Sequence, residues 1–290
     1  MGTTKINIIK IFLSNVLYFS GFNSIASKVI FKNGRYVLMF HGVSSKKSKK
    51  ISKSAQPHLD VIQFESVVNW LKNNFNILDP NELINSSKPG ILFTFDDGFQ
   101  NNYTNVLPIL EKHNIPGLFF ITTQHVLDSK KWLHFVNDSV RAEGNLTEKI
   151  SEDIQNDYYD GINREMLVKM SKNPLVTIGS HTVTHPFLSQ CSIKNIDYEL
   201  GSSKEYLERI TNKTIKYLAY PSGDYDEKVI EIAKKKGYEA GFGIDRTNGI
   251  GLPNFEIPRV GIYYSNISYI ATKLNGLINP SIKGSYLKIG

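Results

Sequence analysis

The sequence predicts an α/β fold in which parallel strands form a closed or nearly closed barrel with helices outside it. Seven short apolar runs lie between Arg35 and Ile262, and several lack the in-and-out alternation of a half-exposed sheet. Helical patterns separate these runs, as crossovers between parallel strands require. Because strands and helices alternate and the sequence shows no internal repeat, we expect one barrel rather than two domains.

The elements follow in order along the chain. The predicted strands are residues 36–40, 91–95, 117–121, 175–179, 216–220, 238–242 and 257–262. The predicted helices are residues 62–73, 105–112, 196–211 and 227–236. Residues 127–174 form a long polar stretch without strand signals, so we expect an insertion that covers one end of the barrel as a lid.

The first 34 residues are predicted to form an N-terminal amphipathic helical segment, separate from a barrel domain at residues 35–290. Apolar residues recur there at helical spacing: Ile8, Ile9, Phe12, Val16 and Phe19. Polar residues interrupt the apolar run, which argues against a signal peptide and against a membrane span of roughly 20 residues. We favour a helix packed on the barrel, and the alternative is an interfacial helix that touches a membrane.

Composition and charge narrow the class of protein. The chain has 290 residues, of which 41% are hydrophobic and 21% charged, as in an ordinary soluble globular protein. One cysteine, Cys191, excludes an intramolecular disulfide, and we expect a cytoplasmic protein, with association to a membrane as the alternative. The net charge of +7 is partly concentrated in lysine runs. No aromatic-rich basic strand or recognition-helix pattern accompanies it, so we expect no nucleic-acid partner.

Two adjacent carboxylates, Asp96 and Asp97, follow the buried strand predicted at residues 91–95. Neighbouring carboxylates at the end of a core strand repel each other and lose hydration, so a cation should compensate them. A metal ion would do so. The alternative is an Asp-Gly turn at Asp97 and Gly98 that caps a helix.

A second polar segment follows the strand predicted at residues 175–179 and contains His181 and His185. In a helical turn, a spacing of four residues directs both imidazoles to the same side, where they can bind one ion. Together with one of the aspartates they form a set of two histidines and one carboxylate. Such a set leaves coordination positions open for water and substrate, as a catalytic metal requires.

A third segment, Pro221 and Ser222, follows the strand predicted at residues 216–220. A Pro-Ser-Gly turn alone indicates only loop geometry. At the mouth of a barrel, however, its backbone N–H groups would face an oxyanion that develops on a substrate.

The three segments read Thr-Phe-Asp-Asp-Gly, Ser-His-Thr-Val-Thr-His-Pro and Ala-Tyr-Pro-Ser-Gly, and in this order they resemble motifs of the polysaccharide deacetylases. This is the NodB-homology group, carbohydrate esterase family four. The resemblance implies a distorted (β/α)7-type barrel of parallel strands and metal-dependent removal of an acetyl group from a sugar. It implies Asp96 as the general base and Asp97, His181 and His185 as ligands of a divalent metal ion, usually Zn²⁺.

The sequence departs from the family pattern in two places. Many members have an arginine where this chain has Ala219, and Arg259 is the candidate to supply that guanidinium from another direction. No histidine follows His185, although common members use a late histidine to protonate the leaving amine. His41 resembles the early histidine of the poly-N-acetylglucosamine deacetylase branch, which is assigned this acid role. The alternative for His41 is a buried structural histidine.

Trp132 lies in the predicted insertion, where members of this branch often carry a tryptophan. It is either a platform on which a sugar stacks or an anchor that ties the insertion to the barrel.

Together with the resemblance, the sequence predicts a metal-dependent deacetylase that acts on the N-acetyl group of an amino sugar in a polysaccharide or another glycan intermediate and releases acetate. The alternative is a catalytically inactive barrel that binds glycans or serves as a scaffold.

Overall fold

The computed structural model describes residues 14–16, 19, 34–45, 58–130, 158–244 and 253–274, and its centre is a seven-stranded parallel sheet. The sheet strands are β1 (Arg35–Phe40), β4 (Gly90–Phe95), β5 (Gly117–Ile121), β6 (Val176–Ser180), β7 (Tyr217–Ala219), β8 (Ala240–Phe242) and β9 (Val260–Gly261). Two short strands, β2 (Val43–Ser44) and β3 (Leu59–Asp60), form a separate parallel pair. All seven predicted sheet strands are confirmed, with bounds shifted by at most three residues.

The strands lie in the order β8, β7, β6, β5, β4, β1, β9, and the sheet curls into a distorted (β/α)7 barrel. Its two edges approach each other through Ile257. The backbone N–H of Ile257 donates to Gly241 at 3.0 Å, and its carbonyl accepts from Gly243 at 2.8 Å. The segment that leads into β9 is thereby hydrogen-bonded to the end of β8, which confirms the predicted barrel.

Eight α-helices in the described residues connect or cover the strands. They are α1 (Val61–Asn74), α2 (Pro80–Asn85), α3 (Leu107–His113), α4 (Thr123–Leu127), α5 (Arg164–Lys172), α6 (Ile193–Thr211), α7 (Glu227–Lys235) and α8 (Ile267–Leu274). The predicted helices correspond to α1, α3, α6 and α7. A π-helix, Asn102–Val106, precedes α3, because Pro108 has no N–H to donate and its ring would clash with the carbonyl of Thr104 in a continuous α-helix.

The strands are buried on both faces, as their unbroken apolar runs predicted. Alternate residues of β1 belong to different cores: Leu38 and Phe40 pack toward the helices, whereas Val37 packs inside the barrel. Phe120 and Phe242 join Val37 in the interior. Burial on both faces fixes the strand register, because a shift of one residue would exchange the two sets.

Part of the stretch predicted as an insertion belongs to the barrel. Helix α5 lies between β5 and β6 in the chain, at the position of a crossover helix, and Leu167 and Met170 are buried against the core. This helix was not predicted from the sequence pattern. Residues 131–157, which contain Trp132, lie outside the described residues, so the lid stays a prediction for that part.

Little of the N-terminal segment lies within the described residues. Residues 14–16 and 19 are helical, and the hydroxyl of Ser268 in α8 donates a hydrogen bond to Asn15. Val16 and Phe19 are exposed, although both belong to the predicted apolar stripe. Among the helices of the described ranges, none combines the length and hydropathy needed to cross a bilayer.

Candidate metal centre and catalytic site

The polar residues predicted from three separate segments meet at one end of the barrel. Asp96 and Asp97 follow β4, and His181 follows β6. His41 follows β1, which pairs with β4 in a register that places Phe40 opposite Phe95. Because the carboxyl ends of parallel strands lie at the same end of a barrel, residues far apart in sequence converge there.

Asp97, His181 and His185 form a group that could hold a metal ion, with one ligand atom from each lying within 4.8 Å of the others. Asp97 Oδ1 lies 3.5 Å from His181 Nε2 and 3.6 Å from His185 Nε2. Asp97 Oδ2 is buried and has no hydrogen-bond partner within the described part of the chain. Two imidazoles and one carboxylate, with an unsatisfied buried oxygen, fit a divalent ion of the zinc type.

The loop that carries the two histidines is not helical, so the predicted helical turn is wrong. Thr182 and His185 have left-handed backbones, with φ of 68° and 62°, and these two reversals fold the loop so that the imidazoles face each other. The hydroxyl of Thr182 accepts the N–H of His185 at 3.0 Å. The ring centroids of His181 and His185 are 4.9 Å apart. The pair converges through loop geometry instead of helical periodicity.

Glu199 on α6 holds this loop in place. Its buried carboxylate accepts the N–H groups of Val183 and Thr184 at 2.8 and 2.9 Å, and the hydroxyl of Thr184 at 2.6 Å. Two backbone bonds and one side-chain bond to a charged acceptor anchor the loop between the two histidines. Glu199 was not among the residues predicted from sequence, because nothing in a helical pattern distinguishes an inward carboxylate from a solvated one.

Hydrogen bonding fixes which nitrogen of His181 faces the centre. Nδ1 lies 2.9 Å from the carbonyl of Ala219, so it carries a proton and donates, and Nε2 points to the aspartates. Burial alone would lower the pKa of His181, but the charges of Asp96 and Asp97 outweigh it and raise the pKa above its ordinary value. In the absence of an ion the site therefore favours an extra proton, which a bound cation would replace.

His185 and Asp97 have the charge states that metal ligands need. Burial, assisted by neighbouring His181, lowers the pKa of His185 to about 4, so its imidazole is neutral at neutral pH. Burial opposes ionisation of Asp97, yet the hydrogen bond from His181 and the charges of nearby histidines hold its pKa well below the ordinary value. A neutral imidazole and an ionised carboxylate both present lone pairs to a cation.

Asp96 is paired with Arg259, as the sequence analysis anticipated. Nη1 and Nη2 of Arg259 donate to the two carboxylate oxygens of Asp96 at 2.6 and 2.8 Å, which is a bidentate pair. Arg259 is 1% exposed, its Nε donates to the carbonyl of Gly243 at 2.8 Å, and its guanidinium lies 5.3 Å from the ring centroid of Phe120. Burial would raise the pKa of Asp96, but Arg259 outweighs it and lowers the pKa below its ordinary value.

Backbone strain is concentrated at this end of the barrel. Six non-glycine residues in the described ranges have positive φ, and four of them are Asp97, Thr182, His185 and Ser222. The other two are asparagines that end helices, where a left-handed residue is ordinary. Left-handed backbones cost energy outside glycine, so their presence at two candidate metal ligands indicates that the surrounding contacts enforce the geometry.

His41 is buried beside the aspartates. Its ring stacks on Tyr263 with centroids 5.7 Å apart and an interplanar angle of 24°, and its Nδ1 has no hydrogen-bond partner among the described residues. Burial lowers the pKa of His41, partly offset by the negative charges of Asp97 and Asp96. Tyr263 was not predicted as a site residue, because it lies in a segment without a motif.

The turn formed by Pro221, Ser222 and Gly223 lies next to the histidines. Ala219, two residues before it, accepts the hydrogen bond from His181. Gly223 and Asp224 use their N–H groups within the turn, on the carbonyls of Tyr220 and Pro221. Pro221 has no N–H, so Ser222 offers the remaining amide, and its side chain is exposed. Trp132, the other predicted substrate contact, lies outside the described residues.

Residues 84–241 match the family model described as polysaccharide deacetylase. The chain is 27% identical to the poly-beta-1,6-N-acetyl-D-glucosamine N-deacetylase of Staphylococcus aureus over 249 residues, which are 80% of this chain and 75% of the relative.

Two Bacillus subtilis relatives are matched over a smaller share of their length. The chain spans 62% of YxkH at 26% identity, and 48% of the peptidoglycan-N-acetylmuramic acid deacetylase PdaA at 30% identity. These alignments cover 71% and 54% of this chain. Among solved structures, the Streptococcus pyogenes deacetylase PplD in complex with acetate has a similar fold, with a TM-score of 0.63 at 20% identity over 83% of this chain and 97% of that chain.

Replacing Asp97, His181 or His185 with alanine is expected to abolish stoichiometric binding of a divalent ion, because each change removes one of the three candidate ligands found in the described residues. Metal analysis of the purified variants after loading with Zn²⁺ measures the effect. His113→Ala is the matched control, since that ring contacts Glu65 on α1 instead of the site. Full occupancy in all three ligand variants would rule out this centre.

Replacing Arg259 with methionine is expected to raise the pKa of Asp96, because burial then acts without the compensating guanidinium. With a higher pKa, Asp96 takes up its proton at a higher pH than in the wild-type protein as the pH falls. The acid limb of the pH–rate profile therefore shifts to higher pH. Unfolding should also be easier by about 3–5 kcal/mol, the typical effect of breaking a buried ion pair. Denaturant titration and a pH series measure both effects. An unshifted acid limb would show that Arg259 does not control Asp96.

Proposed function

The chain belongs to the polysaccharide deacetylase family, whose model matches more than half of it, and on that premise we propose that it is a metal-dependent hydrolase that removes the N-acetyl group of an amino sugar in a glycan. The observation that carries the proposal is the separation of two adjacent carboxylates. Asp96 faces a buried arginine, and Asp97 faces two histidines. This is the division of labour that hydrolysis of an amide by an activated water requires.

Asp97, His181 and His185 would hold the ion. A divalent ion such as Zn²⁺ would lower the pKa of a water molecule to roughly 7 and polarise the acetyl carbonyl. The chain supports this by keeping His185 neutral and by fixing the Nδ1–H tautomer of His181 through Ala219. Glu199 holds the backbone between the two histidines, so the ligands are positioned before binding.

Asp96 acts as the general base. Arg259 keeps its carboxylate ionised, and each carboxylate oxygen has a second lone-pair direction that the guanidinium does not occupy. The attacking water transfers a proton to Asp96 while its oxygen bonds to the acetyl carbon. The Ser222 amide is the protein donor for the negative charge that develops on the acetyl oxygen.

His41 acts as the general acid. It follows β1, the neighbour of β4. The N–H of Asp96 donates to the carbonyl of Phe40, the residue before His41, at 3.0 Å, so the acid and the base lie beside each other at the same end of the barrel. The C–N bond breaks as His41 delivers its proton to the amine nitrogen, and acetate and a free amine leave. Burial lowers the pKa of His41, so its imidazolium is less populated than that of a free histidine but is a stronger acid when it forms.

The names of two relatives support a substrate class. The staphylococcal relative is named for N-deacetylation of a β-1,6-linked N-acetylglucosamine polymer, and a Bacillus relative for deacetylation of N-acetylmuramic acid in peptidoglycan. Both names describe an N-acetylated amino sugar within a glycan. We infer that this chain acts on the same group, on a polymer or on a biosynthetic intermediate.

Acetate release from defined glycans tests the proposal. The panel contains β-1,6-linked N-acetylglucosamine oligomers, peptidoglycan fragments and lipid-linked N-acetyl sugars, each with Zn²⁺-loaded protein and with protein stripped by a chelator. We expect acetate from at least one glycan, lost on chelation and recovered when Zn²⁺ is added back. Metal-loaded protein that binds these glycans but releases no acetate from any of them would support the inactive glycan-binding alternative.

Replacing Asp96 with asparagine should leave the metal content unchanged and reduce turnover by on the order of 10²–10⁴-fold. The amide has nearly the shape of the carboxylate but cannot accept a proton from water at neutral pH. Metal analysis and steady-state kinetics on the best glycan measure both quantities. Turnover close to the wild-type rate would place the base elsewhere.

Replacing His41 with alanine should affect two substrates differently. An amine cannot leave without a proton, whereas the phenolate of an activated aryl acetate can. We expect His41→Ala to keep its metal, to lose most activity on the N-acetyl sugar and to lose much less on the aryl acetate. His113→Ala is the control for both assays. Equal losses on both substrates would assign His41 a structural role.

A further inference from the structure

Three asparagine side chains hydrogen-bond to the backbone segment that follows β1 and contains His41. Asn102 Nδ2 donates to the carbonyl of His41 at 2.8 Å. Asn101 Oδ1 accepts the N–H of Val43 at 3.1 Å, and Asn105 Nδ2 donates to the carbonyl of Val43 at 2.7 Å. We propose that Asn101, Asn102 and Asn105 form an asparagine clamp that positions His41 for proton transfer. This inference rests on the proposed function, because it assumes the acid role of His41.

The clamp originates from the segment that also carries the base. Asn101 lies four residues after Asp97, and Asn102 and Asn105 lie in the π-helix that precedes α3. Asn101 and Asn102 are buried almost completely. Side-chain amides of residues 101–105 therefore hold the backbone of residues 41 and 43. The clamp follows directly in the chain after Asp96 and Asp97, so one stretch of backbone positions all of them.

His58 contacts both Asn101 of the clamp and the backbone of Gly42. Its Nδ1 lies 3.3 Å from Asn101 Nδ2, and its ring packs on Gly42, where a Cβ would lie 2.2 Å from the ring. Since Asn101 Oδ1 is bonded to the N–H of Val43, its amide nitrogen faces His58 and donates to it. Burial lowers the pKa of His58 to about 3, so the ring is neutral and its Nδ1 can accept.

The clamp matters because, within the described ranges, no carboxylate hydrogen-bonds the His41 ring. Its Nδ1 has no hydrogen-bond partner among the described residues, and its ring contact is the stack on Tyr263. A histidine that acts on protons is commonly oriented by a partner on its second nitrogen. Here the hydrogen bonds to the backbone of residues 41 and 43 fix the position of the backbone from which the imidazole extends. The stack on Tyr263 fixes the plane of the ring. The asparagines are thus positioning residues that act through His41.

The test compares Asn102→Ala with the wild-type protein on the N-acetyl glycan and on an aryl acetate. We expect kcat on the glycan to fall on the order of 10–100-fold, because misplacement of a catalytic group by about 1 Å has effects of this size. KM and metal content should stay unchanged, and the aryl acetate should be affected much less. Asn74→Ala is the matched control, since Asn74 is exposed and its side chain donates to the carbonyl of Trp70 in its own helix.

A double variant separates positioning from a general structural effect. His41→Ala with Asn102→Ala should be no slower on the glycan than His41→Ala alone, because the clamp has no further target once the imidazole is gone. Additive losses, equal losses on both substrates or loss of metal would overturn the inference. Asn105→Ala provides a second variant with a partly buried side chain if Asn102→Ala does not fold.

A readout without turnover keeps the two proposals distinguishable. If the wild-type protein releases no acetate from any glycan, the proposed function fails, and NMR of the histidine side chains still tests the clamp. Asn102→Ala should shift or broaden the His41 ring signals and leave those of His113 unchanged. Unchanged His41 signals would overturn the clamp even if the wild-type protein is an active deacetylase.

Discussion

The site depends on one electrostatic constraint: two consecutive carboxylates, Asp96 and Asp97, are each 2% exposed. Removing an ion from water costs several kcal/mol even after relaxation, and two like charges side by side add repulsion. Each carboxylate therefore needs its own positive partner. The left-handed backbone of Asp97, with φ of 75°, lets its carboxylate face the histidines while that of Asp96 faces Arg259.

Separate partners give the two carboxylates different chemistry. An arginine cannot lose its proton, so it keeps Asp96 ionised while leaving it able to receive a proton. Histidines can exchange a proton for a cation, and Asp97 belongs with two of them to a group that could hold a metal ion. The raised pKa of His181 reflects the charge that Arg259 alone does not balance. A divalent ion would turn the local balance positive, which favours the negative charge that develops on an acetyl oxygen.

The parts of this structure that were predictable from sequence are those where burial leaves a pattern. The strands could be found because both faces are apolar, and the candidate site because polar residues follow them. Arg259 could be proposed because Ala219 left a role unfilled. Helix α5 was missed because its polar face dominates a polar stretch, although Leu167 and Met170 mark its buried side.

Other features leave no such pattern. The loop between His181 and His185 depends on left-handed residues that carry no glycine signal, so an assumed helical spacing gave the right pair for the wrong reason. Glu199 and the asparagine clamp act through backbone groups, and backbone partners impose no complementary side chain that a sequence could reveal. The run that contains Asn101, Asn102 and Asn105 was visible, but its target, 58 to 62 residues away, was not.

Strand order, not motif order along the chain, brings the proposed roles together. In the sheet, β1 lies between β4 and β9; His41 follows β1, Asp96 follows β4, and Arg259 immediately precedes β9. The histidines come from beyond β6, on the other side of β4. Asp96 therefore lies between the candidate acid and the candidate metal ligands, where it can take a proton from a water that attacks between them. Because the guanidinium of Arg259 reaches Asp96 from the residue before β9, the partner of this carboxylate need not come from the end of β7, and a histidine after β1 can occupy a flank that a later segment would otherwise supply. The fold thus constrains where the charges must lie but not which strand provides them.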